Sequence, residues 1–182
     1  MRKLGSIITP LLLVAASVCA QSPAAIWLNV PFVAQPRDGC GAASISMVVA
    51  YWNSQPGTRV KAAEDVAGIQ RLLYSPIDHG ITASSMVDYF KQHGFDAFAF
   101  SGTWSDLDQH LRKGRPLIAA IQPRGQSQLH YVVIDGIDPV HSLVMMNDPA
   151  ERKLLSQEKA AFEKDWSATH NWLLLAVPSP AR

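Results

Sequence analysis

Three residues far apart in the sequence, Cys40, His130 and Asp148, have the side chains of a nucleophilic site. A cysteine thiolate attacks acyl carbon atoms, a histidine takes and returns a proton near neutral pH, and a carboxylate holds the imidazole in one tautomer. Cysteine is also among the most buried residue types, and a lone cysteine commonly serves as a small apolar side chain. The elements that carry these residues therefore decide whether they form a site.

Cys40 stands at the start of a predicted helix. The turn-forming residues 36–39 precede it, and small residues followed by the apolar run 47–52 indicate a buried helix. The unpaired N–H groups of a first helical turn favour an anion, so we expect a raised thiolate fraction at Cys40. Gly39 and Gly41 flank the cysteine, and we expect them to permit a sharp turn and the close approach of a substrate.

The first 20 residues have the pattern of a secretory signal peptide. A basic leader and a short apolar stretch are followed by small residues before a predicted cleavage site after Ala20. The alternative is a lipoprotein signal with an acylated Cys19, although Val18 fits that pattern poorly. We expect residues 1–20 to be removed and residues 21–182 to form one domain, in the periplasm or outside a bacterial cell.

The chain has two cysteines, and cleavage after Ala20 would remove Cys19 and leave Cys40 without a partner for a disulfide. An unpaired thiol in an oxidising compartment excludes a disulfide scaffold and favours a reactive role. Cleavage would also leave 14 Lys and Arg against 15 Asp and Glu, a net charge of −1. We therefore expect no nucleic acid partner and no firm membrane association. We expect no metal and no cofactor, since the histidines lack zinc-ligand spacing and no glycine-rich phosphate loop is present.

Helices are predicted in the first half of the domain and strands mainly in the second. Besides the helix at Cys40, the predicted helices are residues 61–74, 84–93 with Ser84 and Ser85 as cap, and 106–113 with Ser105 as cap. The predicted strands are residues 95–100, 116–122, 129–137, 142–148 and 172–177. This order predicts an α+β fold, in which an N-terminal helical half packs on an antiparallel sheet. The loop at residues 74–81 is expected to be a plain connector, with a place in a substrate cleft as the alternative.

Two predicted strands joined by a turn at Pro139 carry His130 and Asp148. If the turn is symmetrical about Pro139, these two residues face each other directly, with Cβ atoms about 5 Å apart. Their side chains would then lie within hydrogen-bonding reach. Asn147 is the other candidate for a third member, but alternation along the strand directs it to the opposite face unless a bulge shifts the register. We favour Asp148.

Several segments, taken in order, resemble one family. They are Gln35, the run Cys40-Gly41-Ala42-Ala43 with Met47, residues 129–136 (LHYVVIDG) and residues 144–149 (VMMNDP). They resemble the papain-like cysteine peptidases of the bacteriocin-processing, double-glycine-leader family and their stand-alone relatives. The resemblance implies a papain-like fold with Cys40 as nucleophile, His130 as base and then acid, and Asp148 as the group that orients it. It also implies that Gln35 donates to an oxyanion hole together with the backbone N–H of Cys40.

The best-known members of that family are cytosolic domains of export transporters that trim leader peptides after two glycines. This chain instead begins with a predicted export signal, so the chemistry carries over and the glycine rule does not.

We therefore expect an exported cysteine peptidase that acts on a dedicated secreted or surface protein. We expect Gly39, Gly41 and Leu129 to contact the peptide or protein substrate. Two alternatives remain open: a peptide-binding accessory protein without catalysis, and an amidase or transamidase that uses the same thioester.

Overall fold

The computed structural model describes residues 24–58, 60 and 65–180. Its elements, in chain order, are β1 (Ile26–Trp27), α1 (Cys40–Asn53), α2 (Val66–Leu73), α3 (Ala83–Gln92), β2 (Phe95–Ser101), α4 (Trp104–Arg112), β3 (Leu117–Ile121), β4 (His130–Asp138), β5 (Leu143–Asp148), β6 (Arg152–Glu158), α5 (Lys159–Ser167) and β7 (Trp172–Pro178). Residues 1–20, the predicted signal peptide, lie outside the described part of the chain. Within that part, no helix is long and apolar enough to cross a membrane.

The strands form one sheet in the order β2-β7-β3-β4-β5-β6, and β1 adds a short pairing to β4. Every neighbouring pair is antiparallel. Alternate residues of β4 enter two different cores: Tyr131 and Val133 pack with α1, α2 and α3, whereas Val132 and Ile134 pack with α4 and α5. The sheet is therefore the middle of three layers, which explains the continuous apolar sequence of β3. The predicted α+β fold is confirmed.

The helix caps differ from the prediction by about two residues. Thr82 caps α3, and its side chain accepts a hydrogen bond from the backbone N–H of Ser85. Ser84 and Ser85 lie within the helix, so their prediction as the cap was wrong. The backbone N–H groups of a first helical turn have no acceptor within the helix. With Thr82 as the cap, its side chain accepts from one of these groups, that of Ser85.

The start of α4 shows the same kind of error. Thr103 is the cap, and its side chain and that of Asp106 each accept a hydrogen bond from the other residue's backbone N–H. This reciprocal capping box satisfies two N–H groups at once, whereas the predicted cap, Ser105, lies inside the helix.

The start of the helix predicted for residues 61–74 also differs. Asp65 caps α2, accepting hydrogen bonds from Ala67 and Gly68. Residues 61–64 of the predicted helix lie outside the described residues.

Two larger elements were missed in the sequence, β6 and α5. The strand β6 lies at the edge of the sheet and has mostly exposed residues, so its sequence shows little apolar alternation. In α5 the fully packed residues are Phe162 and Trp166, whose rings stack 5.3 Å apart. Their spacing of four residues, and that of Lys159 and Glu163, are weak helical signals in a segment with two packed apolar side chains.

The hairpin of β4 and β5 has a different register from the predicted one. The strands pair Asp138 with Leu143 next to a four-residue turn, and Asp135 forms a bulge between the pairs at Ile134 and Gly136. The side chain of Asp138 accepts hydrogen bonds from two N–H groups in the turn, those of Val140 and His141. This extra bonding explains why the turn is longer than the symmetrical one predicted around Pro139.

Candidate active site

Helix α1 begins at Cys40, as predicted. The turn before it is closed by a hydrogen bond from the Gly39 N–H to the Pro36 carbonyl, at 3.0 Å. Asp38, in the middle of this turn, has a left-handed φ of 54°. Cys40 is a free, half-buried cysteine. The sequence therefore places a thiol at the positive end of a 14-residue helix.

Contacts along α1 fix Cys40 beside the start of β4. Ser44, one helical turn after Cys40, donates a hydrogen bond to the Tyr131 carbonyl at 3.4 Å. At the far end of the helix, the indole N–H of Trp52 donates to the Ala176 carbonyl at 3.0 Å. Because both ends are tied to the sheet, the thiol lies next to His130, the first residue of β4, close enough to influence its ring.

The ring of His130 also contacts Asp148. Its Nε2 lies 2.7 Å from the Asp148 Oδ1, and both side chains are largely buried, with exposed fractions of 14% and 10%. The same carboxylate oxygen accepts a hydrogen bond from the Ala150 N–H at 2.9 Å. With Nε2 on the carboxylate, Nδ1 is the ring nitrogen left to face the thiol. A histidine that acts as a base needs one ring nitrogen on the nucleophile and the other on a carboxylate that orients the ring, and His130 has this arrangement.

The two neighbours of His130 raise its pKa. Burial alone would lower the pKa, but the hydrogen bonds to Asp148 and Cys40, and attraction to both groups, outweigh burial and raise the pKa of His130 to about 9. Burial acts to raise the pKa of Asp148, yet the His130 contact and the N–H groups of Ala150 and Glu151 hold it below the ordinary value. The arrangement favours an ion pair between the imidazole and the Asp148 carboxylate at neutral pH.

The predicted contact between His130 and Asp148 is present, but through a different pairing. The observed register, extended by one residue from the Val133–Asn147 pair, places Asp148 opposite Val132 rather than opposite His130. Relative to the symmetrical pairing about Pro139, the longer turn shifts the partner of each residue by three positions. The bulge at Asp135 reduces this shift by one position. The net shift of two residues keeps both side chains on one face as diagonal neighbours.

Asn147 points away from the histidine. It is fully buried, donates from Nδ2 to the Val30 carbonyl at 3.1 Å, and accepts at Oδ1 from the Leu154 N–H at 2.9 Å. Its side chain thus joins three segments of the backbone. Asp148, not Asn147, lies on His130 in the structure.

Gln35 lies beside Cys40 on the wall of the same cleft. Its backbone N–H donates to the Pro149 carbonyl at 2.9 Å, which ties Gln35 to the residue that follows Asp148. Its side-chain Oε1 is buried and has no hydrogen-bond partner among the described residues. Gln35 lies in the segment from Leu28 to Asp38, which has no regular secondary structure.

The cleft in front of the thiol has a volume of about 580 Å³. Residues from four segments line it: Gln35, Asp38 and Cys40; residues 78–83; Gln126 and residues 128–131; and Ala150. The loop before α3, for which a connector was expected, thus forms one wall, as in the alternative stated above. A bridge between Ser75 and Gly80 closes this loop.

Residues 27–173 match the model of the Peptidase_C39 like family. The chain belongs to this family. It is therefore a cysteine peptidase, a hydrolase. No curated protein matches the sequence significantly.

Solved structures share the papain-like peptidase fold at low sequence identity. The peptidase domain of Streptococcus ComA, a bifunctional ABC transporter of a quorum-sensing pathway, is 20% identical, covers 83% of this chain and 100% of its own, and has a TM-score of 0.66. A C39-like peptidase from Bacillus anthracis is 17% identical, covers 85% and 98%, and has a TM-score of 0.66. A double-glycine motif protease from an AMS/PCAT transporter, in complex with a leader peptide, is 19% identical, covers 84% and 94%, and has a TM-score of 0.60.

The three residues expected to contact substrate have different places in the peptidase. Leu129 lines the cleft and is 49% exposed. Gly39 and Gly41 are buried and are not among the lining residues. A Cβ at Gly39 would lie 2.7 Å from the Pro36 ring, and one at Gly41 would lie 3.0 Å from the Ile81 Cβ. These glycines permit close packing of the chain around Cys40.

Several cleft residues of the peptidase were not singled out in the sequence. Asp38 and His79 line the cleft, and each has a left-handed φ, of 54° and 50°. Gln126 and Gln128 reach it from the loop between β3 and β4. His79 belongs to the loop at residues 74–81, for which a place in the cleft was the alternative expectation. A polar residue in a glycine-containing turn is too common in sequences to indicate a site, so no local signal identifies the other three.

Proposed function

We propose that this peptidase is exported and cleaves a peptide bond in a dedicated secreted or surface protein, with Cys40, His130, Asp148 and Gln35 as its catalytic residues. The observation that carries the proposal is that Cys40 and His130 line the same cleft side by side, while the His130 ring is held at 2.7 Å by the Asp148 carboxylate. A buried thiol with a purely structural role would have no need of a histidine held by a carboxylate.

The first half of the reaction forms a thioester. The Cys40 thiolate attacks the carbonyl carbon of the scissile bond, and the carbonyl oxygen becomes an oxyanion. As the carbon–nitrogen bond breaks, the imidazolium of His130 gives its Nδ1 proton to the leaving amine. In the second half, His130 takes a proton from water, the resulting hydroxide attacks the thioester, and the carboxylic acid product leaves Cys40 as a thiolate.

Gln35 and the Cys40 backbone would stabilise the oxyanion. The Cys40 N–H belongs to the first turn of α1, so it has no acceptor within the helix. The amide of Gln35 lies on the same wall, and the hydrogen bond to Pro149 holds its backbone in place. Removal of one such donor typically lowers turnover on the order of 100-fold or more, so we expect that loss for Gln35→Ala.

A peptide is the substrate class that the cleft fits best. The double-glycine motif protease of similar fold was solved with a leader peptide bound. In this chain the open cleft is lined by the amide side chains of Gln35, Gln126 and Gln128, which can donate to and accept from an extended peptide backbone.

Export is the second part of the proposal, and the pattern of residues 1–20 supports it. Expression of the full chain in a bacterium, followed by fractionation and mass spectrometry, tests it. We expect a periplasmic or extracellular product that begins at Gln21. A cytoplasmic product that keeps Met1, or a product acylated at Cys19, would contradict the proposed processing.

Alkylation of Cys40 tests the chemistry. The chain from Gln21, its His130→Ala variant and its Cys40→Ala variant are treated with iodoacetamide from pH 5 to 9, and Cys40 is followed by mass spectrometry. We expect labelling of the parent at pH 6 to be on the order of 10-fold faster than in His130→Ala, since an ordinary cysteine is almost fully protonated there. Slow labelling with the same pH profile in both would contradict the proposal and favour a peptide-binding protein.

A further inference from the structure

A second cavity, of about 340 Å³, adjoins the cleft in front of the thiol. Ala83, Leu129 and Tyr131 line both spaces. Leu129 and Tyr131 are the residues on either side of His130 in the chain. A peptide with its scissile carbonyl at Cys40 therefore runs along a wall that also bounds the second cavity, and one of its side chains can enter it.

The lining of this second cavity suits a large apolar side chain. Tyr131 and Trp172 supply two aromatic rings, with centroids 5.6 Å apart and planes tilted by 58°. The two rings contact each other and together form one aromatic wall, and Ala83, Ala120 and Ala168 add small apolar surfaces beside it. The polar residues of the lining are Gln122, Ser127, Thr169 and His170. Flat aromatic walls and small neighbours give a bulky side chain extensive contact area.

The rim of the second cavity is held in place by hydrogen bonds. The Thr169 hydroxyl donates to the Ala120 carbonyl at 2.6 Å, which ties the turn after α5 to β3. The Ser101 hydroxyl donates to the His170 carbonyl at 2.8 Å, which ties the same turn to β2. His170 and Asn171 both have a left-handed φ, of 55° and 56°. Because these bonds fix the turn before a substrate binds, little conformational entropy is lost when it binds.

We propose that the second cavity is a substrate subsite, and that the peptide cleaved here carries a large apolar residue, aromatic or long aliphatic, close to the scissile bond. A pair of glycines at the cleavage site would leave the cavity unfilled. The inference rests on the proposed function, because it assumes that the peptide reacts at Cys40.

Peptide probes with a terminal vinyl sulfone, which alkylates a thiolate, test the subsite. One set carries phenylalanine at the first, second or third residue from the vinyl sulfone, with glycine at the other two positions, and a matched probe carries three glycines. We expect one phenylalanine probe to alkylate Cys40 at least about 10-fold faster than the glycine probe, the size of effect that filling an apolar pocket gives. Equal rates for all probes, or a preference for glycine, would overturn the proposal.

A filled cavity provides the second test. Ala168 is exposed at the end of α5 and lines the second cavity, so Ala168→Phe should narrow it without disturbing the core. Ala161→Phe, at an exposed position of the same helix outside both cavities, is the matched control. We expect Ala168→Phe to slow the preferred phenylalanine probe about 10-fold and to leave the glycine probe and the control variant unchanged. Equal slowing of both probes would overturn the proposal.

Iodoacetamide separates the two possible failures. It has no side chain for the second cavity, so it reports the reactivity of Cys40 alone. Fast, His130-dependent labelling with no preference among peptide probes would overturn the subsite and leave the proposed function standing. Slow labelling independent of His130 would overturn both.

Discussion

His130 experiences opposing electrostatic effects within one ring. Its burial disfavours the charged form, whereas Asp148 and Cys40 favour it and raise the pKa to about 9. An ordinary histidine has a pKa near 6.5. The folded chain therefore holds the imidazole proton more tightly than the unfolded chain does, and this difference links the site to the stability of the protein.

The linkage predicts how stability depends on pH. A raised histidine pKa gives stabilisation that is fully present below about pH 6.5 and is lost as the pH rises through about 9. We expect the free energy of unfolding of the parent, relative to His130→Gln, to fall by on the order of a few kcal/mol across this window. Urea unfolding of both proteins at pH 6, 7.5 and 9.5 measures the difference. A difference that stays constant with pH would contradict an imidazolium at His130.

Asp148 and Asn147 are adjacent but have separable roles. We expect Asp148→Asn to lower the pKa of His130 and to reduce peptide cleavage on the order of 100-fold or more, because the carboxylate no longer orients the ring. NMR titration of the ring and a cleavage assay measure these effects. The control, Asn147→Ala, should keep the pKa of His130 and lose about 1–3 kcal/mol of stability, since it leaves buried backbone groups without partners. The reverse pattern would assign the orienting role to Asn147.

At the residue scale, much of the candidate site could be predicted from the sequence. The start of a helix at Cys40 follows from the turn before it and the apolar run after it, and an aspartate near a histidine follows from the hairpin. Gln35 could not be identified from its surroundings, because its place beside Cys40 depends on a hydrogen bond to Pro149, more than 100 residues away.

At the scale of elements, the bulge in β4 decides which face Asp148 occupies. Without it, the pairing next to the turn would continue and put Asp148 opposite Val133, on the other face from His130. The bulged residue is Asp135, which is fully buried and has no hydrogen-bond partner for either carboxylate oxygen among the described residues. Burial raises the pKa of Asp135 to about 7, and the positive charge of Lys153 opposes this only in part.

We therefore expect Asp135 to lower the free energy of unfolding at high pH. Its raised pKa means that the folded state binds a proton that the unfolded state releases above about pH 4, so stability falls as the pH rises towards 7. We expect Asp135→Asn to gain on the order of a few kcal/mol relative to the parent between pH 4.5 and pH 8. Urea midpoints at several pH values provide the measurement, and a gain independent of pH would show that Asp135 is not the titrating group.

The register itself was beyond prediction from the sequence. Turn length depends on how Asp138 bonds to Val140 and His141, and a bulge leaves no mark in the alternation of a strand that is buried on both faces. The turn length and the bulge were both missed, and their effects on the register, three residues in one direction and one in the other, left the predicted contact intact. The prediction of the His130–Asp148 contact was correct because only the parity of the register matters for which face a residue occupies.

At the scale of the whole molecule, strand β7 lies inside the sheet, next to the edge strand β2. Strand β7 pairs with β2 on one side and β3 on the other. Leu173 and Leu175 enter the core of α4 and α5, while Leu174 enters the core of α1, α2 and α3. Like β4, strand β7 therefore contributes to both cores, and neither core is complete without it.

Removal of β7 should unfold the chain. We expect a variant that ends at Asn171 to lose its cooperative thermal transition, because β2 would lose its strand partner and both cores would lose leucines. Circular dichroism during heating tests this. A variant that ends at Ser179 keeps the bond from its N–H to the Gly94 carbonyl and should melt like the parent. Cooperative melting of the shorter variant would contradict the shared-strand account.

The class and layering of the fold could be predicted, whereas β6 and α5 could not. The helical half and the apolar strands have strong periodicity, but the segment between Asp148 and Trp172 packs through a few residues such as Phe162 and Trp166. Tertiary contacts with β3 and β5 define this segment, and single-sequence patterns do not contain them.

The position of β7 also sets the order of events during synthesis. A growing chain contains Cys40, His130 and Asp148 well before it contains residues 172–178, yet the sheet that frames these side chains needs that strand to join β2 to β3. Until the ribosome has released this strand, the thiol and the imidazole belong to an incomplete domain and have no fixed distance from each other. Proteolytic competence therefore waits for residues 172–178, long after the side chains of the site have been synthesised.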